Sequence, residues 1–160
     1  MIKVGDSLPA ISLKRLTASG IEEITLKDRL KGKKVILFAV PGAFTPTCSQ
    51  IHLPSFVKQV DALKSKGIDE IICVAVNDPF VLDVWEKVTH AHGKITILSD
   101  GNGEFTKAMG MTLDASGLGL GARSQRYVAV VEDGIVKSLE VEPHPTQCTI
   151  TCADEILKQL

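Results

Sequence analysis

Residues 34–40, Lys34-Val35-Ile36-Leu37-Phe38-Ala39-Val40, form an unbroken apolar run rich in β-branched residues, and Pro41-Gly42 stops it. A run with no polar alternation reads as a strand buried on both faces. That requires a parallel or mixed sheet covered by helices on both sides. Thr45-Pro46 then supplies a helix start, with Thr45 as N-cap and Pro46 at the first helical position, where a missing N–H costs nothing. Counting on, Cys48 is the third helical residue. A thiol there faces unpaired backbone N–H groups and the positive end of the helix dipole, which favour the reactive thiolate. Most free cysteines are inert core residues. The strand, tight turn and helix start distinguish Cys48 from them as a displayed nucleophile.

The rest of the chain supports the sheet. Ile11–Leu16 and Ile21–Leu26 alternate loosely and predict an N-terminal β-hairpin. The basic run 27–34 reads as a solvated helical turn and loop. Ile51, Leu53, Phe56, Val57, Val60 and Leu63 recur at helical spacing, and Pro54 inside that pattern predicts a kink or break close to Cys48. Ile71–Val76 and Ile95–Leu98 read as further core strands, separated by a helix opening at Asp78-Pro79. A short helix over 103–109 precedes a Gly- and Leu-containing loop, 111–121. Tyr127–Val131 and Ile135–Val141 flank Glu132-Asp133-Gly134, a hairpin signal, and a last helix covers 153–160. This order gives an α/β fold: a central mixed sheet with helices on both faces, in a single domain over residues 1–160.

A chain of 160 residues can bury roughly 70% of its extended surface, enough for a core without metal or disulfide staples. Its net charge of −1 gives no electrostatic case for nucleic acid or an anionic membrane. No apolar run approaches the ~18 residues of a membrane span. The N-terminus lacks a signal-peptide pattern, so the expected location is the cytoplasm. In such a compartment the four cysteines are expected to be inert, catalytic or metal-binding rather than a structural disulfide framework.

Pro41, Thr45 and Cys48 match the Pro-x-x-x-Thr-x-x-Cys signature of peroxiredoxins. The longer run through Ser49, with His52 and Pro54, resembles the type II, peroxiredoxin-five-like group. Val76–Phe80, Arg123–Arg126 and Asp133–Lys137 extend the resemblance over nearly the whole chain. It implies a thioredoxin-like fold with an N-terminal hairpin extension, and thiol-dependent reduction of hydrogen peroxide and organic hydroperoxides without a cofactor. It also implies local unfolding of the Cys48 segment during the cycle, and a homodimer formed through the edge that carries Phe44 and Phe80.

Peroxide reduction needs a thiolate, a group that orients the peroxide, and positive charge for the departing oxygen. Cys48 is the nucleophile. Thr45, one turn earlier, can bring its hydroxyl to the sulfur. Pro41 and Gly42 shape and shield the site. Arg123 and Arg126 could each supply charge, and the resemblance selects Arg126, directly before the aromatic-led strand. His52, four residues after Cys48, lies on the same helical face. A Cys48–His52 hydrolase lacks an orienting third group, and the resemblance makes His52 a supporting residue. His90, His92 and His144 have no evident partners.

Oxidised Cys48 would condense with a thiol. Cys148 and Cys152 come first as candidates, although the position of the single resolving cysteine in animal relatives falls on Ile150 between them. Cys73, where plant relatives carry theirs, comes second. Glutathione or glutaredoxin acting directly comes third, with thioredoxin as the reductant of a disulfide. A metal site at His144, Cys148 and Cys152 lacks a fourth ligand. The competing reading is a non-enzymatic redox sensor acting through Cys48 oxidation.

Overall fold

A computed structural model describes all of residues 1–160. The chain opens with the expected hairpin, β1 (Ser12–Thr17) and β2 (Gly20–Thr25), followed by one helical turn, α1 (Leu26–Arg29). β3 (Lys34–Val40), β4 (Glu70–Ala75) and β5 (Thr96–Ser99) run parallel through the centre. β8 (Tyr127–Glu132) lies antiparallel to β3 and forms the expected hairpin with β9 (Ile135–Val141). The order across the seven-stranded sheet is β2-β1-β5-β4-β3-β8-β9.

Strand alternation divides the core into two layers. Ile36, Phe38 and Val40 of β3, with Ile71, Cys73 and Ala75 of β4, face α2 (Leu53–Ser65), α3 (Pro79–Val88) and α5 (Ala153–Gln159). Val35, Leu37 and Ala39 face the opposite layer, which contains Leu26 and Leu30 near α1 and Phe105 of α4 (Glu104–Ala108). Both faces of β3 are therefore covered, the condition its sequence imposes. No helix is long and apolar enough to cross a membrane.

The helix after Pro41-Gly42 differs from a plain α-helix. It opens at Pro46, passes through a π turn over Cys48–His52, and becomes regular only at Leu53. The expected Pro54 break takes this form: Pro54 occupies the first turn of α2, where it needs no donor. The stretch read as loop 111–121 also holds more structure. β6 (Thr112–Asp114) pairs with β7 (Ala122–Ser124) around a 3₁₀ turn at Ser116–Leu118. Three-residue strands are too short to show a period.

Candidate active site

Cys48 sits in the π turn with its side chain fully buried. The nucleophile is thus enclosed, whereas its position near a helix start suggested display. Ser49 beside it accepts a hydrogen bond from Trp85 Nε1 at 3.0 Å, fixing the turn to α3.

Arg126 directly precedes β8 and shares the parity of Val128 and Val130, so it enters the layer that holds Cys48. It is 1% exposed. Each edge of its guanidinium has a partner. Nη2 donates to Cys48 Sγ at 3.1 Å, Nε donates to the Pro145 carbonyl at 2.9 Å, and Nη1 meets His52 Nδ1 at 2.8 Å. A buried cation is tolerable only when its donors are matched in this way. Arg123 does not reach the sulfur. Its Nε donates to the Leu120 carbonyl, and its Nη1 lies over Gly42, where a Cβ would stand 3.0 Å away.

His52 is fully buried against Phe38 and Phe56, with ring centroids 4.8 and 5.7 Å away. Its Nε2 lies 3.0 Å from the Thr151 carbonyl, which can only accept. Nε2 therefore carries the proton and Nδ1 is bare to accept from Arg126. Burial, with the Arg126 charge adding to it, lowers the imidazole pKa to about 3, so the ring is neutral at physiological pH. A neutral ring that orients the arginine fits a supporting residue rather than a base.

Thr45 does not cap the helix. Its hydroxyl donates to the Gly42 carbonyl at 2.6 Å, fastening the turn after β3. The hydroxyl oxygen keeps lone pairs free to accept. Thr45 lines a cleft of about 300 Å³ with Pro41, Thr47, Leu113, Leu118 and Arg126. The cleft brings Pro41, Thr45 and Arg126 together, while Gly42 shapes it from behind through its carbonyl.

The comparisons with known proteins agree with this geometry. A family model described as Redoxin matches residues 3–157. Peroxiredoxin-2E, chloroplastic, of Arabidopsis thaliana is 47% identical over 99% of this chain and 69% of its own. Peroxiredoxin-2B of the same plant is 42% identical, covering 99% of this chain and 98% of its own. The chain belongs to the peroxiredoxins. Within them it falls in the type II, peroxiredoxin-five-like group, and it is an enzyme that reduces hydroperoxides at the expense of thiols. The crystal structure of reduced Prx3 in complex with hydrogen peroxide from Vibrio vulnificus superposes with a TM-score of 0.94 at 44% identity, over 99% of both chains, and the thioredoxin-like fold is shared.

The peroxiredoxin's other cysteines lie in contrasting places. Cys73 is buried in β4, opposite Phe38 and Ile97, and burial together with the nearby Cys48 pushes its thiol well above the usual range. Cys148 and Cys152 are bonded to each other, with Cα atoms 5.6 Å apart. The expectation was against a structural disulfide framework, and the structure holds this one bridge: a spacing of four in a loop brings the pair within bridging range. His92, read as unpartnered, faces Glu86 at 3.3 Å.

Sequence reasoning missed the loop over the site. Pro145 and Thr151 supply the carbonyls for Arg126 and His52. The buried carboxylate of Glu142 accepts from the amides of Thr149, Ile150 and Thr151 and from both threonine hydroxyls. Burial pushes the Glu142 pKa up, but these hydrogen bonds outweigh it and hold the group below its ordinary value. A lone Glu-Pro after a strand carries no local pattern for such a role. Leu113, Leu118 and Leu120 of the β6–β7 ribbon form the apolar cleft wall.

Proposed function

We propose that residues 1–160 act as one thiol peroxidase domain in which Cys48 is the peroxidatic nucleophile. The observation that carries this reading is the 3.1 Å contact from Arg126 Nη2 to Cys48 Sγ, made by a guanidinium whose other edges are both held. A hydroperoxide enters through the cleft beside Pro41, with its O–H donating to Thr45 Oγ1. The Cys48 thiolate attacks the terminal oxygen. An S–O bond forms, the O–O bond breaks, and the departing alkoxide or hydroxide takes up a proton. Cys48 becomes a sulfenic acid, and both electrons come from sulfur, so the step requires neither metal nor organic cofactor. Arg126 holds negative charge on sulfur before the step and lies beside the departing oxygen during it. The Vibrio relative was crystallised in complex with hydrogen peroxide, which supports the substrate class. The leucine wall of the cleft supports organic hydroperoxides as well.

Recycling needs a thiol: Cys148, Cys152, Cys73, or glutathione or glutaredoxin from outside. Full burial of Cys73 and its raised thiol count against it. A homodimer is supported by Phe44 and Phe80, 52% and 61% exposed. Phe44 lies in the turn after β3 and Phe80 in the first turn of α3, and the segments leading to them are joined by Ala43 N–H donating to Asn77 Oδ1 at 2.9 Å. We assign the enzyme to the cytoplasm, where thiol reductants are abundant; relatives named chloroplastic and mitochondrial make fractionation the check. The deciding experiment is peroxide consumption with a dithiol reductant in wild type and Cys48→Ser. Loss of consumption in the variant is expected, and full activity would end the reading.

A further inference from the structure

The Cys148–Cys152 bridge lies in the loop that covers the active site, while Cys48 itself is a free thiol. The loop is tied to the Cys48 helix at both ends. Thr47 Oγ1 donates to the Thr146 carbonyl at 2.6 Å, and His52 Nε2 donates to the Thr151 carbonyl at 3.0 Å. Arg126, which touches the Cys48 sulfur, also donates to Pro145. The bridge therefore sits a few residues from contacts on either side of the nucleophile. Its burial differs sharply: Cys48 is enclosed, whereas Cys148 and Cys152 are half-buried and Thr149 between them is exposed. A protein-sized reductant could approach the bridge, and Cys48 is closed to it.

The two ends of the bridge are anchored unequally. Cys152 heads α5, whose Ala153 N–H donates to Ser55 Oγ at 3.1 Å and whose Asp154 accepts from Gln59 at 2.9 Å, both on α2. Cys148 follows a stretch, 143–147, that is exposed except for half-buried Pro145. Thr149 beside Cys148 is held by Glu142, and Pro145 and Thr146 by Arg126 and Thr47, so Cys148 travels only when these loop contacts open, while Cys152, at the head of α5, stays.

We propose that Cys148 and Cys152 form a relay that carries oxidation away from Cys48, a step that rests on Cys48 being peroxidatic. The Cys148 thiol attacks the Cys48 sulfenic acid. The Cys48–Cys148 S–S bond forms, the S–O bond breaks, and hydroxide leaves as water with the thiol proton. The Cys152 thiolate then attacks Cys148 Sγ. The Cys148–Cys152 bond forms, the Cys48–Cys148 bond breaks, and Cys48 departs as a thiolate beside Arg126 Nη2. The balance is one hydroperoxide and two thiols giving one alcohol, one water and one disulfide. An external dithiol of the disulfide-reductase class then reduces the half-buried pair, becoming a disulfide itself. Cys48 is regenerated before that partner binds.

The test is fully reduced protein treated with one equivalent of hydrogen peroxide, quenched by alkylation and mapped by mass spectrometry, with peroxide consumption followed in parallel. In wild type the relay leaves Cys48 alkylated and Cys148 bridged to Cys152. In Cys152→Ser the Cys48–Cys148 bridge accumulates, and in Cys148→Ser the sulfenic acid at Cys48 persists and is trapped by dimedone. Peroxide consumed with wild-type oxidation remaining on Cys48 and the pair still reduced would overturn the relay while leaving the peroxidase reading intact. A Cys48→Ser protein that consumed peroxide at the wild-type rate would overturn the peroxidase reading itself.

Discussion

Arg126 Nη1 donates to His52 Nδ1 at 2.8 Å, and the opposite ring nitrogen is committed to the Thr151 carbonyl. The histidine thereby fixes the plane of the guanidinium that touches Cys48. A lysine at this position has one charged tip in place of three directed edges. In Arg126→Lys we expect kcat/KM for hydrogen peroxide to fall by about 10²–10³, the usual loss when a charge-stabilising donor is removed. Stopped-flow peroxide kinetics measures it. A fall below tenfold would mean the contact to sulfur is structural.

The same histidine predicts an acid sensitivity. Its folded pKa, about 3, lies below the ordinary 6.5, so between these values the unfolded chain binds more protons. The stability from burying a neutral ring is present above pH 6.5 and is lost as pH falls toward about 3. At about 1.4 kcal/mol per pKa unit, the loss is on the order of a few kcal/mol. Chemical denaturation from pH 7 to 4 should show a steeper decline in wild type than in His52→Gln. Glu70 and Glu142, both held below their ordinary values, weaken both proteins in acid and cancel in the difference. Parallel curves would refute the assignment of a neutral ring.

The leucine wall predicts substrate discrimination. Replacing Leu113 and Leu120 by Ala removes apolar contacts that only a substrate with a hydrocarbon group can use. We expect kcat/KM for cumene hydroperoxide to fall roughly tenfold, as a few lost methylenes allow, with hydrogen peroxide changed by less than about twofold. Equal losses for both substrates would point to collapse of the cleft.

Phe80 predicts the assembly. Sedimentation velocity should give a dimer for wild type and a monomer for Phe80→Asp, because a carboxylate in an apolar contact loses its hydration without a partner. Monomeric wild type at micromolar concentration would end the proposal.

The strand at 34–40 was legible because burial on both faces suppresses alternation and leaves an apolar run. The helix start at Asp78-Pro79 was legible, and the Asp78 carboxylate caps it by accepting from the Val81 amide at 2.8 Å. Thr45 looked identical in sequence, yet its hydroxyl turned back to Gly42 and only its carbonyl takes part in the helix, accepting from the Ser49 amide at 3.0 Å. Arg126 could have been chosen by strand parity alone, since it shares the face of Val128 and Val130. Pro145, Thr151 and Glu142 could not. They act through backbone carbonyls and a long-range fold-back, and neither depends on a local pattern of residue types.

The π turn at Cys48–His52 has a consequence for how this segment can vary. A π turn holds one residue more than the α-helical turn it replaces. Deleting Gln50 would leave every functional side chain in the chain and keep the apolar stripe of α2. It would also let the π turn close into an ordinary α turn, with the residues on either side keeping their places around the axis. A second deletion has no spare residue to absorb it: everything before it would rotate by about 100° and draw in by about 1.5 Å, swinging Cys48 away from Arg126 while His52 stayed in place. The segment is therefore governed by residue count, with one residue to spare between Cys48 and His52 and no more.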